Sequence, residues 1–252
     1  MGFTPSFAES VADAQLPEVR AWSAGLETLS LDERLAWCWQ EFGKSAAVGT
    51  SLQGAGLVIL HRSRELGLDF PVFTVDTGLL FSETLTLKAQ VEQRLGIQIE
   101  SLHPEQTLAE QAAEYGAELW KRSPDLCCTL RKVLPLQKKL AELDVWITGL
   151  RREQGPTRSK VGILERYEFD RLREQYLLKF NPLAGWPRER VRAYLKAHNL
   201  PMNPLKSQGY TSIGCQPCTH KLPPDAANER AGRWTGFDKT ECGIHTFLGE
   251  NI

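Results

Sequence analysis

"SAAVGTSLQGAGLVILHRSREL", residues 45–66, and "FPVFTVDTG", residues 70–78, decide the fold. The first stretch opens small, apolar and glycine-interrupted, like a buried strand running into a loop, and "LVILHRSREL" (57–66) continues it with helical spacing. The second is another strand that ends in a turn. Downstream, "SETLTLKAQVEQRLG" (82–96) reads as a helix closed by glycine, and "IQIES" (97–101) and "VWITG" (145–149) as further short strands separated by mainly helical sequence. Upstream, Ser30-Leu-Asp-Glu33 is a capping box opening a helix with Leu35, Trp39 and Phe42 near one face. Strands alternating with helices imply right-handed crossovers and a mostly parallel sheet, so the expected fold is a doubly wound α/β core.

Ligands of such sheets bind beyond the carboxyl ends of the strands, where three loops here look specialised. "GTSLQGAG" (49–56) offers the hydroxyls of Thr50 and Ser51 and glycine N–H groups ahead of a helix, which suits phosphate. "DTGLLFSET" (76–84) can fix an adenine or ribose through backbone groups and Asp76, with Thr77 and Gly78 beside it. "TGLRREQGPTRS" (148–159) supplies the guanidinium forks of Arg151 and Arg158 for an anion. Each alone is common in structural turns; together they point to a nucleotide.

The 252 residues, 42% of them hydrophobic, suffice for a full core and exclude a disordered or fibrous chain. No run of about 18 apolar residues and no basic, apolar leader is present, so the expectation is a cytoplasmic protein away from membranes. A net charge of −1 argues against a general nucleic-acid surface. The cations gather locally instead, at 131–139, 151–160, 188–196 and 229–233, and a small anionic ligand fits them better. From about residue 200 the sequence turns dense in proline and glycine with little periodicity, which divides a nucleotide-binding core with its N-terminal helical region (1–200) from an irregular C-terminal tail (201–252).

Six cysteines in a reducing compartment point to metal binding or catalysis rather than structural disulfides. "CQPC" (215–218) and the adjacent Cys127 and Cys128 make four thiolate candidates, for Zn²⁺ or an iron–sulfur cluster. Neighbouring cysteines bend poorly around one small ion, whereas each can reach a different iron of a cubane, so the spacing favours the cluster over zinc. Two buried thiols acting as small hydrophobes is the plain alternative. Cys242, in "TECGIHTF", stands apart from the others; as a nucleophile it would draw on His245, Arg230 and Arg233 for positive charge, against Glu241, and on the residues alone an incidental tail cysteine weighs as much. Cys38 is packing, and His61, His103 and His198 lack companions at ligand spacing.

With "VDTG" (75–78), "GLRREQGPTR" (149–158), "NPLAGW" (181–186), "YTSIGCQPCT" (210–219), "GRWTGF" (232–237) and the terminal "ECGIH" (241–245), the sequence resembles the assimilatory adenylyl-sulfate and phosphoadenylyl-sulfate reductases from about residue 45 onward. The resemblance implies an adenine nucleotide α-hydrolase-like fold and a [4Fe–4S] cluster on Cys127, Cys128, Cys215 and Cys218, the mark of the branch that prefers adenylyl sulfate. It implies Cys242 as nucleophile, Lys132, Arg158, Arg230, Arg233 and His245 around the phosphosulfate, and the loops at 50–56 and 76–78 around the adenosine. It further implies cysteine biosynthesis through sulfate assimilation, with thioredoxin or glutaredoxin as reductant; a homo-oligomer is the expected assembly. "TSLQGAG" departs from the S-G-G-x-D-S loop of the related ATP pyrophosphatases, which fits an enzyme that must not cleave between α- and β-phosphates. A 3′-phosphorylated substrate, a nucleotide-activating pyrophosphatase and an iron–sulfur sensor are the competing readings. The pyrophosphatase has no use for Cys242, and the sensor lacks a basic DNA-reading helix.

Overall fold

The computed structural model describes residues 16–170, 172–222, 230–239 and 241–245. Six strands, β1 (Ala46–Gly49), β2 (Val72–Val75), β3 (Glu100–Leu102), β4 (Val145–Ile147), β5 (Leu164–Asp170) and β6 (Gln175–Phe180), form one sheet in the order β3-β2-β1-β4-β6-β5. Every pairing is parallel except β5 with β6, an antiparallel hairpin at one edge. The order runs outward in both directions from β1, so the topological switch lies between β1 and β4, with their loops facing each other across it.

Alternation along each strand sorts the side chains between two layers. Ala46, Val48, Ile147, Leu178 and Phe180 face a core built with α1 (Leu16–Glu27), α2 (Leu31–Phe42), α3 (Gly54–Glu65), α4 (Ser82–Leu95) and α9 (Arg188–Ala197). Ala47, Phe73, Trp146 and Leu177 face the opposite layer, where Leu136 and Leu140 of α8 (Leu134–Leu140) and Ile244 of the tail pack. The capping box on α2 is formed as the sequence predicts, Ser30 Oγ accepting from Glu33 N and Glu33 accepting from Ser30 N. That helix turns Leu35 and the fully buried Cys38 into the core, and burial pushes the Cys38 thiol far above its ordinary range. Buried Arg34 rivets α1 and α2 to the body by donating to the carbonyls of Leu26 and Pro182, both at 2.8 Å, and of Glu27 at 2.9 Å.

The α/β reading and its parallel sheet hold. The strands are shorter than their apolar runs, and α3 begins at Gly54 rather than Leu57. The β5–β6 hairpin has no counterpart in the sequence reading, because "LERYEFD" is a charged edge strand and a lysine interrupts "QYLLKF". His61 and His198 do have companions: their rings lie 4.7 Å apart, and His61 Nδ1 meets the Tyr194 hydroxyl at 2.8 Å. The cationic run at 188–196 is the outer face of α9, which buries Val191 and Leu195. Among the described residues no helix is long and apolar enough to cross a membrane.

Candidate active site

The three loops expected to carry ligand leave the ends of β1, β2 and β4, which are adjacent in the sheet, and they converge. A Cβ on Gly149 would stand 3.0 Å from Gly56 N, so the β4 loop lies against the first turn of α3. Thr50 is buried, its hydroxyl accepting from Leu52 N at 3.0 Å, and a side chain on Gly56 would overlap it. Ser51 is exposed. No side chain caps α3, so the first N–H groups of that helix stay available beside the loop. In the second loop Asp76 accepts from Gly78 N at 2.9 Å, closing a turn that holds Gly78 at φ +69°. Thr77 points inward, its hydroxyl 3.2 Å from Cys215 Sγ and accepting from Leu79 N.

After α5 (Leu108–Tyr115) and α6 (Leu119–Arg122), α7 (Pro124–Cys128) runs into a π-helical turn, Thr129–Val133, before α8 continues. The wider turn places Arg131 and Lys132 inside the protein. Arg131 pins the second loop, donating to Thr77 O at 2.6 Å and to Gln111 Oε1 at 3.0 Å. On the other side of the thiols, Cys215 bridges to Leu80, Gln216 N donates to Leu79 O at 2.7 Å, and a single 3₁₀ turn carries the chain to Cys218. Cys127 therefore faces Cys128, Cys215 and Cys218 together. Burial first, and then those three sulfurs, push its thiol up to about 12; burial pushes Cys128 up to about 11 against the pull of Lys132. Four soft donors that oppose one another's ionisation are a set that bound iron would hold as thiolates, so the residues fit an iron–sulfur group. Among the described residues no three His, Cys, Asp or Glu side chains are set to hold a single metal ion.

Cys242 is also within reach of the Lys132 charge. Burial raises this thiol, yet Lys132, the backbone N–H of Ile244, Arg230 and Arg233 bring it below its ordinary value. Lys132 is buried; burial works against its charge, and Cys215, Cys128 and Cys242 more than restore it. The one cation thus acts on both the four-thiol set and Cys242. Arg233 donates to Cys218 O at 3.2 Å and lies 4.5 Å over the Trp234 ring, in space that exists because residue 214 is glycine.

The tail lies across the sheet face of β4, β5 and β6. Tyr167 of β5 donates to Ile244 O at 2.9 Å, and His245 stacks on Trp146 with ring centroids 5.1 Å apart. Burial, with Lys179, Arg158 and Arg230 nearby, holds His245 well below its ordinary pKa, so the imidazole is neutral. Glu241 is clasped by Arg158, at 2.8 and 3.1 Å, and by Arg230 at 3.0 Å. Side-chain exposures of 9% for Glu241, 11% for Arg158 and 19% for Arg230 leave this cluster little screened.

The structure thus gathers Cys242, Lys132, Arg158, Arg230, Arg233 and His245 into one region bounded by the three loops. It does not bring Arg151 there: its guanidinium donates to Trp186 O at 3.2 Å and pairs with Glu153. Sequence reasoning missed Lys179, Tyr167, Trp146 and the clasp on Glu241. A lysine inside an apolar strand, two residues before "NPLAGW", was the available signal for the first.

Residues 45–221 match the phosphoadenosine phosphosulfate reductase domain. Adenosine 5′-phosphosulfate reductase 2 of Bacillus subtilis is 42% identical over 214 residues, 84% of this chain and 87% of that one. Adenosine 5′-phosphosulfate reductase of Salinibacter ruber is 40% identical over 94% of this chain and 92% of its own. The phosphoadenylyl-sulfate reductase of Candida auris, solved as a phosphate complex, superposes with a TM-score of 0.71 at 27% identity, over 82% of this chain and 98% of that one. The FMN adenylyltransferase of Candida glabrata shares the fold alone, at TM-score 0.53 and 14% identity over 86% of this chain and 74% of that one. This chain belongs to the phosphoadenosine phosphosulfate reductase family.

Proposed function

We propose that this chain reduces adenylyl sulfate to sulfite and AMP with a dithiol protein such as thioredoxin as electron donor. The observation that carries the reading is Cys242, a thiol gathered with Lys132, Arg230 and Arg233, whose charges hold it below its ordinary pKa. The curated relatives named adenosine 5′-phosphosulfate reductase support a nucleotide with a free ribose 3′-hydroxyl over the 3′-phosphorylated one.

In this reading the adenosine lies along the loops at 50–56 and 76–78, within reach of the first N–H groups of α3, and the phosphosulfate points to the cations. The Cys242 thiolate attacks sulfur, a sulfur–sulfur bond forms as the sulfur–oxygen bond of the anhydride breaks, and AMP leaves with that electron pair. Lys132, Arg158, Arg230 and Arg233 stabilise the charge that develops on the leaving phosphate. A carrier thiolate then attacks Cys242 Sγ and sulfite departs with the bonding pair. The carrier's second thiol resolves the mixed disulfide, so one dithiol is oxidised for each sulfite released and Cys242 returns as thiolate. Cys127, Cys128, Cys215 and Cys218 would hold the iron–sulfur group, which supplies a fixed charge and a cross-link between α7 and the tail. The 201–252 segment, in this reading, delivers the nucleophile first to substrate and then to carrier. The cytoplasm, where reduced carriers are kept, is the matching compartment, and the subunits assemble as a homo-oligomer.

The test is sulfite release from adenylyl sulfate by anaerobically purified protein. Sulfite should appear only with reduced thioredoxin, and Cys242→Ser should abolish it while leaving about four irons per chain. An active Cys242→Ser variant refutes the mechanism. Faster turnover of the 3′-phosphorylated nucleotide reassigns the substrate.

A further inference from the structure

Lys179 sits near the carboxyl end of β6, on the sheet face of Trp146 and Leu177. It is 3% exposed, its backbone pairs in the sheet with Trp146 and Glu165, and its ammonium makes no hydrogen bond or ion pair with the described residues. Its ammonium lies 4.4 Å over the Tyr167 ring and 5.5 Å over Trp146. A buried ammonium that meets no carboxylate is costly. The nearby carboxylates are committed elsewhere: Glu165 accepts from Asn181 Nδ2 at 2.9 Å and Gly162 N at 3.2 Å, and Glu241 is clasped by Arg158 and Arg230.

Lys179 lines a cavity of about 130 Å³ between the sheet and the tail, together with Arg158, Lys160, Glu241 and His245. His245 Nδ1 is buried with no hydrogen-bond partner among the described residues. The Lys179 ammonium, His245 Nδ1 and the Arg158 guanidinium therefore border one space with the carboxylates of Glu165 and Glu241, and Cys242 is near enough to act on the Tyr167 phenol. A tetrahedral oxyanion group is the ligand that such a set would satisfy.

We propose that Lys179 is a substrate-binding residue that grips the anionic phosphosulfate end of the nucleotide from the sheet side, beneath the tail. This rests on the reading of the chain as an adenylyl-sulfate reductase. The bound anion would supply the missing counter-charge, and the tail would enclose it against the sheet.

The experiment is calorimetric binding of adenylyl sulfate and of adenosine to the Cys242→Ser protein, which cannot turn the nucleotide over, with and without Lys179→Met. Methionine keeps the apolar stem against Tyr167 and Trp146 and removes the charge. Loss of one charge-assisted hydrogen bond should weaken adenylyl sulfate roughly 10- to 100-fold, with adenosine affinity unchanged. Equal affinity for adenylyl sulfate in the two proteins overturns the proposal while the reductase reading stands. No binding of adenylyl sulfate by the Cys242→Ser parent refutes that reading and the proposal with it. Should Lys179→Met lose adenosine as well, the parent decides through pH. The groups facing Lys179 are Glu165 and Tyr167 of β5, Arg158 and Lys160 of the loop, and Glu241 and His245 of the tail. The preference for adenylyl sulfate over adenosine should fall as Lys179 deprotonates above about pH 8; a preference constant to pH 10 overturns the assignment.

Discussion

Lys179→Met should stabilise the folded protein at neutral pH. Burial lowers this ammonium from its ordinary 10.5 to about 8, with Glu165 and Glu241 offsetting only part of the cost and Arg158 adding to it. Below pH 8 the lysine is charged in both folded and unfolded chains, and the folded state carries the burial penalty in full. Between pH 8 and 10.5 the unfolded chain holds a proton that the folded chain has lost, so stability rises with pH and the penalty is gone above 10.5. At ~1.4 kcal/mol for each pH unit the penalty is about 3 kcal/mol. Methionine forfeits the cation–π contacts, about 1 kcal/mol, which leaves a net gain of about 2 kcal/mol at pH 7. For a chain of this length that raises the thermal midpoint by roughly 4–8 °C. Thermal unfolding of both proteins from pH 6 to 10.5, in matched anaerobic buffers, should show the difference shrink with pH. A difference that is negative at pH 7, or that does not change with pH, refutes the reasoning. A residue whose removal stabilises the fold while weakening substrate binding is kept for its ligand.

Two further perturbations probe the tail and the thiols. Glu241→Gln removes the charge that two poorly screened arginines share, which should loosen the tail by about 2–3 kcal/mol; amide hydrogen exchange across residues 241–245 should quicken by more than tenfold, and unchanged exchange would show that Ile244 docking, the Tyr167 hydrogen bond and the His245 stack hold the segment without the clasp. In Gly214→Ala the new methyl would overlap the Arg233 guanidinium, which must swing away from Cys218 O. Sulfite release should drop at least tenfold with the iron content intact, and loss of iron instead would mean that the Cys215–Cys218 turn gave way before the arginine did.

The parallel core was legible because buried strands between crossover helices write themselves as apolar runs, as "FPVFTVDTG" does. The β5–β6 hairpin was not, since an edge strand carries its charges on purpose and Lys179 reads as surface until its neighbours are known. Among the site residues the thiols stood out by type and spacing, and Arg158 by its place in a loop at a strand end. Arg151 shows the limit of that argument: two guanidiniums seven residues apart look alike in sequence, yet one meets Glu241 and the other turns to a backbone carbonyl. The Glu241 clasp joins a loop to a tail more than 80 positions later, a distance no local pattern spans.

The π-helical turn at Thr129–Val133 sets the angular phase between the cysteines of α7 and the helix α8. An α-helix advances about 100° per residue, and the wider turn takes up one residue without lengthening the rod by a full step. That turn buries Lys132 where its charge acts on the thiols before it and on Cys242 alike. Removing Leu130 would leave every cysteine and every cation in the chain, yet rotate Cys127 and Cys128 out of line with α8. The coupling between the sulfur set and the reactive thiol is thus stored as a count of residues, separately from the chemistry of any one of them.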